Sequence, residues 1–309
     1  MTSPALDKKG ALAPVLVFAF ARPDHLRRTM ESLQANAEAG LTHVTVFCDG
    51  PRNPSDVPQV EAVRRYVDAL EGFASVSVVR QPHNLGLAQS VILGVTQMLE
   101  QHEDVIVVED DLLLSPYFLK YMNDALNHYR HDERVASIHG YSYPTDRPLP
   151  ATFFLRGADC WGWATWRRAW AGFNPDGRAL LSELERQRRV RHFDFDGAYP
   201  YTRMLRDQIS GKNSSWAVRW HASCYLAGKL TLYPGRSLVE NIGNDASGTH
   251  SIATSVYSGE IASRPVQVGN IDVAASENAR NEIIRFLRGG RTWRAKALGV
   301  LKILSGVSG

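Results

Sequence analysis

Three consecutive carboxylates, Glu109, Asp110 and Asp111, follow directly on the apolar run Val105-Ile106-Val107-Val108. Like charges this close repel one another, so the cluster needs an opposite charge to hold it. One reading is a solvated turn that caps the next helix, because acidic residues favour helix N-termini. The other is a site for a divalent cation. The four apolar residues bury the strand and hold its end rigid, which favours the second reading. Hard carboxylate oxygens suit Mg²⁺ or Mn²⁺, which keep open positions for water and for a substrate's phosphates. An ion held there would neutralise a diphosphate leaving group. Two further residues end apolar runs. Arg22 follows Pro14–Phe20 and can fork onto phosphate oxygens, or stand as a surface cation. Asp49 ends His43–Cys48 and precedes Gly50-Pro51, where it is either a ligand contact or a turn residue.

The elements that must position these residues alternate regularly. Strand-like runs lie at Pro14–Phe20, His43–Cys48, Ser75–Arg80 and Asp104–Glu109. Several are apolar throughout, as parallel strands covered on both faces must be. Helical patterns lie between them, at Asp24–Glu38, Val57–Leu70, Gly86–Leu99 and Ser115–Arg130, the last with Ser115 as its N-cap and Pro116 at its first position. This order predicts an α/β fold with a mainly parallel sheet and right-handed crossovers. Ligands then bind at the carboxyl ends of the strands, where Arg22, Asp49 and the acidic triplet all fall. Arg134–His139 and Thr152–Arg156 extend the sheet, Lys229–Pro234 reads as a late strand, and helices are expected near Arg178–Val190, Tyr199–Ile209 and Trp216–Ala227.

The totals narrow the function classes. The chain has 309 residues, 44% hydrophobic and 22% charged, an ordinary globular composition. A net charge of +3 gives no support for a nucleic-acid partner. Cys48, Cys160 and Cys224 are widely spaced, which predicts a reducing compartment without disulfides. The longest apolar run, 11–21, holds Pro14 and is far shorter than the ~20 residues of a membrane span. A cytoplasmic protein, free or peripheral on the inner membrane face, is expected. No Walker A sequence and no GxGxxG occurs, which weakens kinase, P-loop and dinucleotide readings. A metal–diphosphate site without a P-loop is what a nucleotide-sugar transferase needs.

PVLVFAFAR, VFCDG, VIVVEDDLLLSPYFLKYM and GADCWGW together resemble the GT-A-fold glycosyltransferases, in particular the N-acetylglucosaminyltransferase I type with its Glu-Asp-Asp form of the DxD motif. RQPHNLGLAQSVILGV is similar to the Asn-x-Gly stretch of bacterial family 2 glycosyltransferases. The resemblance covers roughly residues 12–250. It implies a Rossmann-like GT-A domain with a nucleotide half at 12–140 and an acceptor half at 141–250, followed by a C-terminal extension at 251–309. It also implies roles. Arg22 and Asp49 contact the nucleotide, with Asp49 facing the uracil edge. Asp110 holds the ribose, Asp111 the Mn²⁺ or Mg²⁺, and Glu109 faces the donor sugar.

An inverting transferase needs a base to deprotonate the acceptor hydroxyl. In the resembling family this is an aspartate before a tryptophan, in an Asp-Asp-Trp stretch. The similar segment here is Asn213-Ser214-Ser215-Trp216, and serine cannot serve. Asp207, the nearest upstream carboxylate on a helix, is the candidate, with Asp159, Asp194 and Asp196 as alternatives. Among the tryptophans of WGWATWRRAW, Trp166 and Trp170 are expected in the core, and Trp161 and Trp163 at the donor or acceptor pocket. The segment 244–250 is either a lid loop or an exposed loop, and its His250 either an added metal or diphosphate ligand or a solvent histidine.

The expected activity is transfer of a hexosyl or N-acetylhexosaminyl group from a UDP-sugar to a glycan or lipid-linked acceptor, in surface polysaccharide assembly. A sugar-nucleotidyltransferase is the competing enzyme; it calls for a Gly-rich phosphate loop after the first strand, and FARPDHL has no glycine. A nucleotide-sugar-binding protein without a base is the non-enzymatic alternative. Residues 280–302 carry seven basic residues against Glu282, interleaved with Ile283, Ile284, Phe286, Leu287, Trp293, Leu298, Val300 and Leu301. This reads as an amphipathic segment for an anionic membrane surface, or as a helix packed on the domain.

Overall fold

The structure, a computed structural model, describes residues 12–243 and 256–289. The strands are β1 (Val15–Ala19), β2 (His43–Cys48), β3 (Ser75–Arg80), β4 (Asp104–Glu109), β5 (Leu112–Leu114), β6 (Val135–His139), β7 (Thr152–Arg156), β8 (Trp163–Trp166), β9 (Leu230–Pro234) and β10 (Val239–Asn241). The helices are α1 (Pro23–Gln34), α2 (Val57–Asp68), α3 (Leu87–Gln101), α4 (Phe118–His128), α5 (Arg167–Trp170), α6 (Gly177–Arg186), α7 (Val190–Phe193), α8 (Tyr201–Ile209), α9 (Trp216–Leu226) and α10 (277–289).

Eight strands form one sheet in the order β3-β2-β1-β4-β8-β6-β9-β7. β8 and β7 run antiparallel to their neighbours; the other six point one way. This is the mainly parallel α/β sheet flanked by helices that the alternating pattern predicts. β1 lies between β2 and β4 and is buried along its whole length, which is why its five residues are all apolar. The register pairs Ala19 with Cys48 and Phe18 with Glu109. The chain therefore leaves β1, β2 and β4 at one level, bringing Arg22, Asp49 and Asp110-Asp111 to one end of the sheet.

The helices bury the faces that their spacing predicts. α1 turns Leu26, Met30 and Leu33 inward, with Pro23 at its start, where the missing N–H costs nothing. α3 packs on β1 and β4 and meets α9, and α6, α8 and α9 pack together. Trp163, Trp170, Trp216 and Trp220 form an aromatic core with ring centroids 5.1–6.3 Å apart.

Three features depart from the sequence reading. Leu112–Leu114 forms β5, which pairs antiparallel with β10 in a small second sheet, so the acidic triplet runs into a strand and not into a helix. α4 begins at Phe118, and Ser115 does not cap it: its hydroxyl donates to the Ala262 carbonyl (2.7 Å) and accepts from the Tyr117 N–H (3.2 Å). The tryptophan-rich WATW is strand β8, inserted between β4 and β6.

Segment 256–289 packs on the sheet domain. Ala262 N–H donates to Ser237 O (2.7 Å), and Ser276 N–H to Phe154 O (2.8 Å). In α10, Ile283 is 0% exposed, and it joins Ala279, Ile284 and Leu287 against Phe153, Leu155 and Tyr233. Arg280 pairs with Asp196 at 2.9 Å. The apolar residues expected to enter a membrane are thus covered by the domain as far as residue 289; a helix that packs on a sheet edge and one that lies on lipid need the same amphipathic pattern. Residues 290–302 of the basic segment lie outside the described residues. No described helix is long and apolar enough to cross a membrane.

Candidate active site

Arg22 sits at the N-cap of α1, immediately after β1, and reaches across to the end of β4. Its Nη2 donates to Asp110 Oδ1 in a short ion pair and to Asp111 Oδ2 at 2.9 Å. The Phe20 N–H donates to Asp110 Oδ2 (3.2 Å), and the Thr29 hydroxyl donates to the Asp110 carbonyl (2.8 Å). Asp110 is thus built into the β1–α1 junction. Burial lowers the Arg22 pKa, but Asp110 and Asp111 outweigh it and the net direction is up, so its charge is secure.

The carboxylates carry the opposite cost. Burial pushes Glu109 up to about 8, reinforced by Asp111 and Asp110. Burial also raises Asp110 to about 6 against the pull of Arg22. One guanidinium therefore does not neutralise three acids. Asp111 Oδ1 is buried and lacks a hydrogen-bond partner. Gly243, just beyond β10, lies over the same side chain, where a Cβ would overlap Asp111 Oδ2 and stand 3.0 Å from Arg22 Nη1. The Ile242 N–H holds this roof by donating to Asp111 O (2.8 Å).

A bare carboxylate oxygen beside excess negative charge fits a hard cation. No group of three or more His, Cys, Asp or Glu side chains able to hold a metal stands among the described residues. A cation at Asp111 would thus take its other ligands from water and a bound diphosphate, the habit of Mg²⁺ and Mn²⁺.

Asp49 is buried at the end of β2. Its Oδ1 accepts from the N–H groups of Gly50 and Leu85 (both 2.8 Å), and its Oδ2 accepts from Asn84 Nδ2 and the Gly86 N–H (both 2.9 Å). The carboxylate moulds the Asn84-Leu85-Gly86 loop that leads into α3, a role that residue spacing alone does not reveal. Gly86 has φ of 76°, which suits it to glycine. A cleft of about 250 Å³ between β2 and α3 touches Asp49, Phe47, Gln81, Leu93 and Gln97. It includes none of Arg22, Asp110 or Asp111, and lies apart from the acidic cluster.

The structure brings Arg22, Glu109, Asp110 and Asp111 together, with Asp49 at the same sheet end. Trp161 stands half-buried on the loop before β8, its backbone N–H donating to His139 Nε2 (3.1 Å). Trp163, expected at the pocket, is instead 0% exposed within the tryptophan core, because β8 lies between β4 and β6 and is buried along its whole length. Asp207 lies on α8 with Arg203 (3.9 Å) and Lys212 (3.7 Å) about its carboxylate, outside the acidic cluster. Asp194 accepts from the Thr202 N–H and hydroxyl at 2.6 and 2.8 Å, and Asp196 pairs with Arg280. Ser215 caps α9, accepting from the Val218 N–H at 3.2 Å, and Trp216 is core. His250 lies outside the described residues.

No family model matches the chain, and no curated protein matches it. Several solved structures are similar. One is the mannosyltransferase PcManGT from Pyrobaculum calidifontis in complex with GDP-Man and Mn²⁺: 15% identity, covering 43% of this chain and 36% of that one, TM-score 0.33. Another is S. aureus TarS 1-349: 14% identity, 56% of this chain and 49% of that one, TM-score 0.35. A third is a putative glucose-1-phosphate thymidylyltransferase from Bacillus anthracis in complex with a sucrose: 10% identity, 52% and 74%, TM-score 0.31. The matched stretch spans about a third of the first protein and half of the second.

Proposed function

We propose that this chain is a metal-dependent, inverting glycosyltransferase that moves a hexosyl or N-acetylhexosaminyl group from a UDP-sugar to a glycan or lipid-linked acceptor, in surface polysaccharide assembly on the cytoplasmic side of the membrane. The observation that carries the reading is the Arg22–Asp110–Asp111 cluster with its bare, buried Asp111 oxygen at the carboxyl end of the sheet. The sequence resemblance assigns that position to the metal and the nucleotide. Asp111 would hold Mn²⁺ or Mg²⁺, which when bound supplies positive charge against the departing diphosphate. Arg22 adds a fixed cation, Asp110 is positioned to accept from the ribose, and Glu109 faces the donor sugar. Asp49 acts through the loop that it shapes, at the nucleotide end.

A nucleotidyltransferase would bring a phosphate loop after β1, where this chain has Phe20-Ala21-Arg22-Pro23 and enters α1 at once. Titration calorimetry of UDP with and without Mn²⁺ tests the reading. Wild type should bind UDP only with the ion, and Asp111→Ala should lose that binding while its melting curve stays intact. Metal-independent UDP binding, or unchanged affinity in Asp111→Ala, would remove the assignment.

A further inference from the structure

The glycosyl-transfer reading leaves the base unplaced. Ser215 is spent on capping α9, and Asp207 is engaged by Arg203 and Lys212. A different carboxylate stands on the loop before β8, whose Gly162 packs against Val239 of β10, the strand that leads to Gly243 and so to Asp111. Asp159 lies on the turn between β7 and β8, which is shaped by two glycines of positive φ, Gly157 (100°) and Gly162 (60°). Its Oδ1 accepts from the Cys160 N–H at 3.0 Å and its Oδ2 from the Tyr143 hydroxyl at 3.2 Å. Neither partner is a cation, and both oxygens keep lone pairs for a proton. Next to it, burial and after it the charges of Asp159, Glu109 and Asp111 push the half-buried Cys160 thiol up.

The surroundings of Asp159 are aromatic. Burial, and after it the Asp159 charge, pushes the phenols of Tyr141, Tyr143, Tyr201 and Tyr233 up, which keeps them neutral hydrogen-bond donors. Tyr143, Trp161 and Tyr201 remain partly exposed. Trp161 is wedged edge-on against Tyr141 (4.9 Å), and Tyr201 stacks on the buried His221 (4.3 Å). His221 in turn bonds the Ala158 carbonyl through Nδ1 (2.6 Å), while its buried Nε2 has no partner. A carboxylate that accepts from a phenol and stands among aromatic side chains is suited to a ring that is apolar on its faces and rich in hydroxyls at its edge.

We propose that Asp159 is the base of this enzyme and that Tyr143, Trp161 and Tyr201 form an acceptor pocket for a pyranose ring. The inference rests on the glycosyl-transfer reading. In the step, the acceptor hydroxyl gives its proton to Asp159 as its oxygen bonds to the donor's anomeric carbon. The bond from that carbon to the phosphate oxygen breaks, and the nucleoside diphosphate leaves with the electron pair.

The test measures nucleotide release in Mn²⁺ from UDP-, GDP- and dTDP-hexoses, with p-nitrophenyl pyranosides as acceptors. Wild type, Asp159→Asn, Asp207→Asn and Trp161→Ala are compared, and UDP titrations in Mn²⁺ report folding and donor binding. Asp159→Asn should lose ~10²-fold or more in kcat with the donor KM unchanged, and Asp207→Asn should stay near wild type. Trp161→Ala should raise the acceptor KM about tenfold with kcat nearly kept, the mark of lost ground-state binding. Near-normal turnover by Asp159→Asn overturns the base, and an unmoved acceptor KM in Trp161→Ala overturns the pocket. A wild type that releases nucleotide from no donor overturns the transferase reading itself, a result that is distinct from both.

Discussion

Gly243 lies so close to Asp111 that a Cβ at residue 243 would overlap Oδ2 and come within 2.8 Å of Cγ. The same methyl group would stand 3.0 Å from Arg22 Nη1. Asp111 has little room to yield, since its Oδ2 is tied to Arg22 and its carbonyl to Ile242. Gly243→Ala should therefore displace the carboxylate. Overpacking of this kind costs ~1–3 kcal/mol, and the expected result is a modest fall in melting temperature with a loss of about tenfold in Mn²⁺-dependent UDP affinity. Unchanged affinity by calorimetry would show that the Asp111 side chain turns away without harm.

Asp49 makes a sharper stability prediction, because each of its oxygens faces two N–H donors. In Asp49→Asn, either orientation of the amide turns an NH₂ toward two donors. Burying such a mismatch costs ~1–3 kcal/mol, visible as a lower urea midpoint. Proteolysis should speed at 84–86, the loop that the carboxylate ties to β2. An Asn variant as stable as wild type would mean that the loop holds without Asp49.

How far the sequence reveals this site depends on the range of each contact. β4 is legible because four apolar residues in a row demand a strand buried on both faces, and its acidic end follows from that. β5 and β10 are not, since three residues each make a strand only by pairing with a partner some 125 positions away. Asp49 shows itself as a strand-end acid, but its partners at 84–86 come from the next βα unit. Trp161 and Trp163 are equivalent in a reading by residue type; Trp161 stays on the loop before β8, while Trp163 enters a strand that is buried along its whole length. The apolar residues of 280–289 were legible as one face, while the surface that covers it, at β7 and β9, was not.

The acidic cluster predicts an unusual pH dependence for the metal-free protein. Glu109 and Asp110 are raised in the fold, to about 8 and about 6, from ordinary values of 4.5 and 3.8. The folded state then holds more protons than the unfolded one between those limits. A raised carboxyl contributes stability that is full below its unfolded pKa and is lost as pH climbs through its folded pKa. Melting temperature in EDTA should accordingly fall from pH 5 to pH 8.5, and Mn²⁺ at pH 8.5 should restore part of the loss. Glu109→Gln, uncharged throughout, should flatten the slope. A wild-type profile no steeper than that of the variant would show that Glu109 titrates normally.

The last prediction concerns α10. Ile283 is 0% exposed and packs, with Ala279, Ile284 and Leu287, against β7 and β9 residues Phe153, Leu155 and Tyr233. Removing that side chain leaves a cavity in a second, small core. Ile283→Ala should cost ~2–5 kcal/mol in urea denaturation. A chain ending at Ala279 should lose more, since it discards Ile283, Ile284 and Leu287 together with the ion pair of Arg280 with Asp196. A chain ending at residue 289 keeps every contact that the helix makes among the described residues and should denature like the full protein. It also separates packing from membrane binding, because it removes Arg291, Arg294, Lys296 and Lys302 and leaves the domain whole. If the full chain co-sediments with anionic vesicles at low salt and the 289 version does not, the membrane contact belongs to 290–302. Equal sedimentation of both would assign it to the domain surface, and full stability of Ile283→Ala would show that α10 is not part of the folded core.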